Sequence, residues 1–151
     1  MAKVALDEAL GAEALLLGRR SYEYLAARWP SRTGEWADRL NGLPKYVVSA
    51  TAKELDWANS TVLSGDVLDE VAKLKERVDG DLVVYSSRRL VQLLFEHDLV
   101  DELRMIVYPS VLGAGARIFG ETSAAKPVRL VDVRTLGTGL AYLIYRPVRA
   151  A

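Results

Sequence analysis

The run Leu15-Leu16-Leu17-Gly18-Arg19-Arg20-Ser21-Tyr22-Glu23 constrains the fold more than any other stretch of this chain. Its leucines read as a buried strand that stops at a glycine, and the residues behind the glycine turn directly into a helix. First-turn amides of a helix lack intrahelical partners and lie at the positive end of its dipole, so anions bind at such junctions. Gly18 would let the backbone come close, while Arg19 and Arg20 add full positive charge. The same residues also suit a plain strand–turn–helix corner whose arginines point into water.

Two further strand exits have a similar composition. Pro44-Lys45-Tyr46-Val47-Val48-Ser49-Ala50-Thr51 is a short β-branched and aromatic run ending in hydroxyl residues, and Asp81-Leu82-Val83-Val84-Tyr85-Ser86-Ser87-Arg88-Arg89-Leu90 is an apolar run entering a helix. In an open parallel sheet, ligands bind outside the carboxyl ends of the strands, so three exits rich in Ser, Thr and Arg could line one site for a phosphorylated ligand. Taken singly, each is better explained by helix capping and solvation.

Periodicity fills in the remainder. Val4, Leu6, Ala9 and Leu10 predict a short helix before a strand over 14–17, and a helix over 21–28 follows until Trp29-Pro30 ends it. A helical turn is expected over 35–40, with strands over 45–49 and 60–63. Asp66 is a suitable N-cap for a helix over 67–77, along which Val67, Leu68, Val71, Leu74 and Val78 form an apolar stripe. A strand over 82–85 and a helix over 87–96 complete a right-handed βαβ unit. Beyond it the helical pattern stops. A strand over 102–108, a long glycine-containing loop over 109–125, and an antiparallel hairpin over 128–136 and 140–146 around Gly137-Thr138-Gly139 are expected instead.

Several of these segments occur in the order seen in the dihydrofolate-reductase-like family: Leu16 to Glu23, Leu43 to Ser49, Leu90-Val91-Gln92-Leu93-Leu94, Val100-Asp101-Glu102-Leu103-Arg104, and Pro109 to Phe119 with its Gly113-Ala114-Gly115. The chain most resembles the bacterial riboflavin-biosynthesis reductase domain and its small stand-alone relatives, from about Asp7 to Pro147. That resemblance implies one domain over 1–151 with a three-layer α/β fold: a mostly parallel central sheet, helices on both faces and an antiparallel C-terminal hairpin. It also implies an NADPH-dependent reductase of a small heterocyclic, pteridine-like or pyrimidine, substrate. Gly18, Arg19, Arg20 and Ser21 would hold phosphates, Ser49 and Thr51 would flank the adenosine end, and Ser86, Ser87, Arg88, Arg89 and Leu90 would meet the pyrophosphate. Pro109, Gly113 and Gly115 would lie on the substrate side.

Two departures temper that expectation. Relatives usually begin with a further central strand and loop that precede the first helix of this chain, and the carboxylate they carry near the start of that helix would fall at or before Met1, so no catalytic residue is assigned. Where relatives show Gly-Ser-Gly or Gly-Gly, this chain has Ser86-Ser87-Arg88, whose Cβ atoms would block close backbone approach and positive φ. A non-catalytic, small-molecule-binding relative is therefore the alternative. The gap in the sheet and the apolar hairpin residues Val128, Leu130, Val131, Val133, Leu140, Tyr142, Leu143 and Ile144 point to a homodimer.

Composition narrows the classes further. At 151 residues the chain can bury roughly 70% of its unfolded surface in a single core. It has no cysteine, which excludes disulfides, thiol nucleophiles and thiolate metal sites; no metal is expected, and the cytoplasm is the expected location. Twenty basic residues balance twenty acidic ones, so no global field favours nucleic acid or an anionic membrane, and no apolar run reaches membrane-span length. His97 reads as a helix C-terminal residue, Asp101 and Glu102 as a turn and sheet element, and Trp29, Trp36 and Trp57 as packing residues.

Overall fold

The computed structural model describes residues 2–150, and the chain divides into two compact units, Ala2–Val91 and the segment from Gln92 onward. The first unit contains α1 (Ala2–Gly11), β1 (Ala12–Gly18), α2 (Arg19–Ala26), α3 (Glu35–Gly42), β2 (Lys45–Val48), β3 (Ser60–Leu63), α4 (Val67–Arg77) and β4 (Asp81–Val84). Its four strands form a parallel sheet in the order β3-β2-β1-β4. β1 is interior, with Leu15 opposite Lys45 of β2 and Leu16 opposite Val84 of β4. An interior parallel strand is covered on both faces, which is why consecutive leucines suit it and why Leu15, Leu16 and Leu17 are all fully buried. Each such side chain contributes about 1.5–3 kcal/mol of transfer free energy.

The core of this unit joins Leu15, Leu17 and Val47 to Leu40 and the aromatic residues Tyr22, Trp29 and Trp57. The polar tips of Tyr22 and Trp57 are satisfied, as burial requires, whereas the buried Trp36 Nε1 has no hydrogen-bond partner among the described residues. Tyr22 Oη accepts from the Trp57 amide at 2.9 Å, and Trp57 Nε1 donates to Asn41 Oδ1 at 2.7 Å. Trp36 packs on Trp29 with ring centroids 4.9 Å apart, so all three tryptophans serve packing. The Arg39 guanidinium, carried on α3, donates to the carbonyls of Ala9 and Ala12 and thereby terminates α1.

α4 and β3 have the bounds their sequence implies, and Asp66 caps α4 by accepting from the Asp69 amide at 3.1 Å. Two helices differ from expectation. α2 begins at Arg19, because Gly18 is already extended at φ −73° and ψ 158° and no turn residue intervenes. The expected turn over 35–40 is the full helix α3, because Ala37 and Leu40, three residues apart on one face, are both drawn into the core. Gly80, at φ 144°, has no substitute: a Cβ there would lie 2.3 Å from Glu13 Cγ.

Helix α5 (Arg88–Glu96) runs across the boundary in sequence, and the second unit continues with β5 (Leu103–Val107), β6 (Val128–Leu136) and β7 (Leu140–Pro147). These strands form an antiparallel sheet in the order β5-β7-β6, with Ile106 opposite Tyr142 and Val133 opposite Leu143. Gly137, at φ 59°, makes the hairpin turn, and the register shifts between Leu130 and Asp132. Glu102 is bound by Arg104 and Arg146, and Asp101 pairs with Arg149, so this acidic pair is a structural element of the sheet. His97 lies exposed just beyond the end of α5.

The parallel strands and the antiparallel hairpin are both present, carried by separate sheets. Among the described residues β4 pairs only with β1, and β5 pairs only with β7, so each terminates its own sheet.

A candidate anion-binding junction

Because β1 and β4 are parallel neighbours, their carboxyl ends and the starts of α2 and α5 lie at one edge of the first unit. Two hydrogen bonds lace the two turns together, and a third braces the second turn internally. The Gly18 amide donates to Ser87 Oγ at 3.0 Å, the Ser87 amide donates to Ser21 Oγ at 2.9 Å, and Ser87 Oγ donates to the Tyr85 carbonyl at 3.1 Å. Ser87 is buried and Ser21 half-buried.

The expectation that serines here would block positive φ is corrected: Ser86 and Ser87 adopt φ 55° and 48°. Left-handed backbone at a non-glycine residue costs of order 1 kcal/mol or more and persists only where the surroundings impose it. Here the bonds from Ser87 to Gly18, Ser21 and Tyr85 impose it. The expected role of Gly18 also changes. Its φ of −73° needs no glycine, and a Cβ on it would meet Ser87 Oγ at 3.6 Å, an ordinary contact. What approaches the Gly18 backbone is the Ser87 hydroxyl.

The remaining residues divide by availability. Arg19 is oriented by Glu23, with Nε 2.8 Å from Oε1, and by Thr51, with Nη1 2.7 Å from Oγ1, so the exits of β1 and β2 are bridged. Glu23 was not among the expected site residues, although its i,i+4 spacing from Arg19 signals the pair. Ser49 is buried and its hydroxyl accepts from the amides of Thr51 and Ala52 at 3.3 and 3.0 Å, so it shapes its own turn. Leu90 is a core side chain, and only its main chain is available to a ligand. Arg20, Arg88 and Arg89 are exposed and have no ion-pair partner among the described residues. α2 has no side-chain cap, so its first amides add their partial positive charge. The edge therefore carries four guanidiniums, of which only that of Arg19 is paired with a carboxylate among the described residues, an arrangement suited in charge to a phosphorylated ligand.

In the second unit, Pro109 packs beside the hairpin turn, 3.4 Å from where a Cβ on Gly139 would sit. Gly113 and Gly115 follow at φ 76° and 146°, flanked by Val111 and Leu112 at 97% and 86% exposure. The end of the same loop is fixed. Gln92 Nε2 donates to the Ile118 carbonyl at 2.8 Å, Phe119 stacks on Phe95, and the Glu96 carboxylate accepts from both the amide and the hydroxyl of Ser123. Those bonds hold the Glu96 carboxyl below its ordinary range.

A parallel sheet whose strand exits run into arginine-bearing helix starts defines an α/β protein with a basic edge. Comparison with known proteins makes the class specific: the sequence matches the RibD C-terminal domain family over residues 3–142, and the chain belongs to that family. It is 28% identical over 139 residues to YyaP of Bacillus subtilis (strain 168), an alignment covering 88% of this chain and 73% of that protein. Among solved structures, a protein of Shewanella sp. PV-4 provisionally assigned to riboflavin biosynthesis superposes with a TM-score of 0.78 at 21% identity, over 97% of this chain and 78% of the other. A pyrimidine reductase-like protein of Corynebacterium diphtheriae gives a TM-score of 0.69 at 11% identity, over 99% and 81%. RibD of Acinetobacter baumannii gives 0.63 at 17% identity, and there the match spans 98% of this chain but 51% of the other. The fold is thus dihydrofolate-reductase-like, of the riboflavin-pathway reductase type.

Proposed function

We propose that the protein is an NADPH-dependent reductase of a small heterocyclic, pteridine-like or pyrimidine, substrate, acting as a homodimer in the cytoplasm with 1–151 as a single domain. The observation that carries this reading is the excess of guanidinium at the exits of β1 and β4, where Arg20, Arg88 and Arg89 face solvent without a counter-ion among the described residues. Arg19, held by Glu23 and Thr51, and the neighbouring Arg20 bind the 2′-phosphate, with Ser49 and Thr51 along the adenosine end. Ser21, Ser86, Ser87, Arg88, Arg89 and the Leu90 main chain border the pyrophosphate, and the uncapped amides at the start of α2 assist. Bound NADPH would supply a hydride. Pro109, Gly113 and Gly115 border the substrate, the open backbone of the two glycines offering amides to a planar ring.

A second reading, a small-molecule-binding relative without hydride transfer, draws on one specific observation: Ser87 already uses the Gly18 amide and engages the Ser21 hydroxyl. A thermal-shift experiment tests the first reading. NADPH should raise the melting temperature, and Arg19→Ala with Arg20→Ala should remove most of that rise while leaving the ligand-free protein nearly as stable, since both side chains are exposed. No rise in the unmodified protein would remove the cofactor from the account.

A further inference from the structure

The bonds around Ser87 point to a specificity-determining role for that residue, an inference that rests on the dinucleotide reading of the same edge. We infer that the Ser87 hydroxyl is an internal stand-in for a ligand phosphate oxygen, and that a diphosphate must displace it to reach the Gly18 amide. Ser87 Oγ occupies the acceptor position on Gly18 N–H at 3.0 Å, while its own proton goes to the Tyr85 carbonyl at 3.1 Å. Ser87 thus commits its hydroxyl to the neighbouring turn instead of capping α5, which begins at the next residue. It holds this place in left-handed backbone at φ 48°, a conformation that serine adopts at a cost.

Displacement is chemically feasible. The Ser87–Gly18 bond is a neutral amide–hydroxyl contact, whereas a phosphate oxygen would accept the same amide in a charge-assisted bond of roughly twice the strength. The hydroxyl can leave by rotation about χ1 without moving the backbone, because the Ser87 amide stays tied to Ser21 Oγ at 2.9 Å. Ser87 therefore weakens diphosphate binding by the strength of the bond that must be given up, a factor of roughly 2 to 10. It sets how strongly the edge selects ligands that carry a diphosphate over those that use the arginines alone.

The test compares the unmodified protein with Ser87→Ala and Ser87→Gly, using NADPH and inorganic pyrophosphate as probes. Ser87→Ala removes the competing oxygen, and Ser87→Gly does so while also relieving the strained backbone, which keeps the test open should the alanine variant fold poorly. Both variants should bind NADPH and pyrophosphate more tightly, by a factor of roughly 2 to 10, although Ser87→Ala loses stability without ligand. Hydrogen exchange supplies a reading independent of affinity: the Gly18 amide should exchange faster in ligand-free Ser87→Ala and regain protection on adding NADPH. A merely structural serine would give lower stability with unchanged or weaker binding, and that result would overturn the inference while leaving the dinucleotide reading intact. Absence of binding by the unmodified protein and both variants would overturn the two together. Binding gained only in the variants would support the displacement.

Discussion

Lys45 carries an ammonium group in the core of the first unit, with no exposed surface and no ion-pair partner among the described residues. Its Nζ donates to the carbonyls of Asn41, Leu43 and Ala58 at 2.9, 2.7 and 3.0 Å and lies 4.4 Å from the centre of the Trp57 ring. Those bonds satisfy all three protons, yet desolvation still lowers the pKa from 10.5 to about 8. The unfolded chain keeps its proton up to 10.5, so between about 8 and 10.5 it binds more protons than the native state, and stability rises with pH across that window. The penalty for the buried charge is fully present below pH 8. Relative to Lys45→Met, the unmodified protein should gain up to about 3 kcal/mol between pH 7 and 10.5 in urea denaturation. A constant difference over that range would contradict the assignment. Nothing in Pro44-Lys45-Tyr46 marks this lysine as buried, because its three acceptors come from α3, its C-terminal turn and the segment before β3, which only the folded chain brings together. The Ser87 network was hidden for the same reason: its partners Gly18 and Ser21 are 69 and 66 residues away. The charge on Arg19, Arg20, Arg88 and Arg89 was visible at once, since it depends on composition at a strand exit and on no distant contact.

At the scale of elements, β6 has the exposed apolar surface that a second copy would cover. Among the described residues it is an edge strand, paired only with β7, and Val128, Leu130, Val131 and Val133 are all exposed on it. Edges of this composition invite further pairing unless a partner or charge protects them. Light scattering should therefore give twice the 16.6 kDa chain mass at micromolar concentration, and Leu130→Lys with Val133→Lys should reduce it to 16.6 kDa without unfolding the sheet. A single-chain mass for the unmodified protein would refute the dimer. Elements whose signals are local were legible in sequence. α4 had both an Asp66 cap and an apolar stripe, and the hairpin had glycines at its turn. α3 was underestimated because six residues show little periodicity, and tertiary burial of Ala37 and Leu40 stabilises it. The shift of register at Leu130 has no marker in a strand that alternates poorly.

For the whole molecule, the order of segments was sufficient to reach the family, because alternating strand and helix followed by a helix-free third restricts the topology strongly. The division of the strands into two sheets depends on which edges find partners, and pairing between distant segments leaves little trace in local sequence. The central claim is that the arginine-rich edge of the first unit recognises the extra phosphate of NADPH. Titration calorimetry of the unmodified protein with NADPH and NADH, at one fixed low salt concentration, tests this most directly. NADPH should bind about tenfold or more tightly, because the 2′-phosphate adds charge-assisted bonds to guanidinium that NADH cannot form. Equal affinity for the two dinucleotides, or no heat with either, would contradict the account.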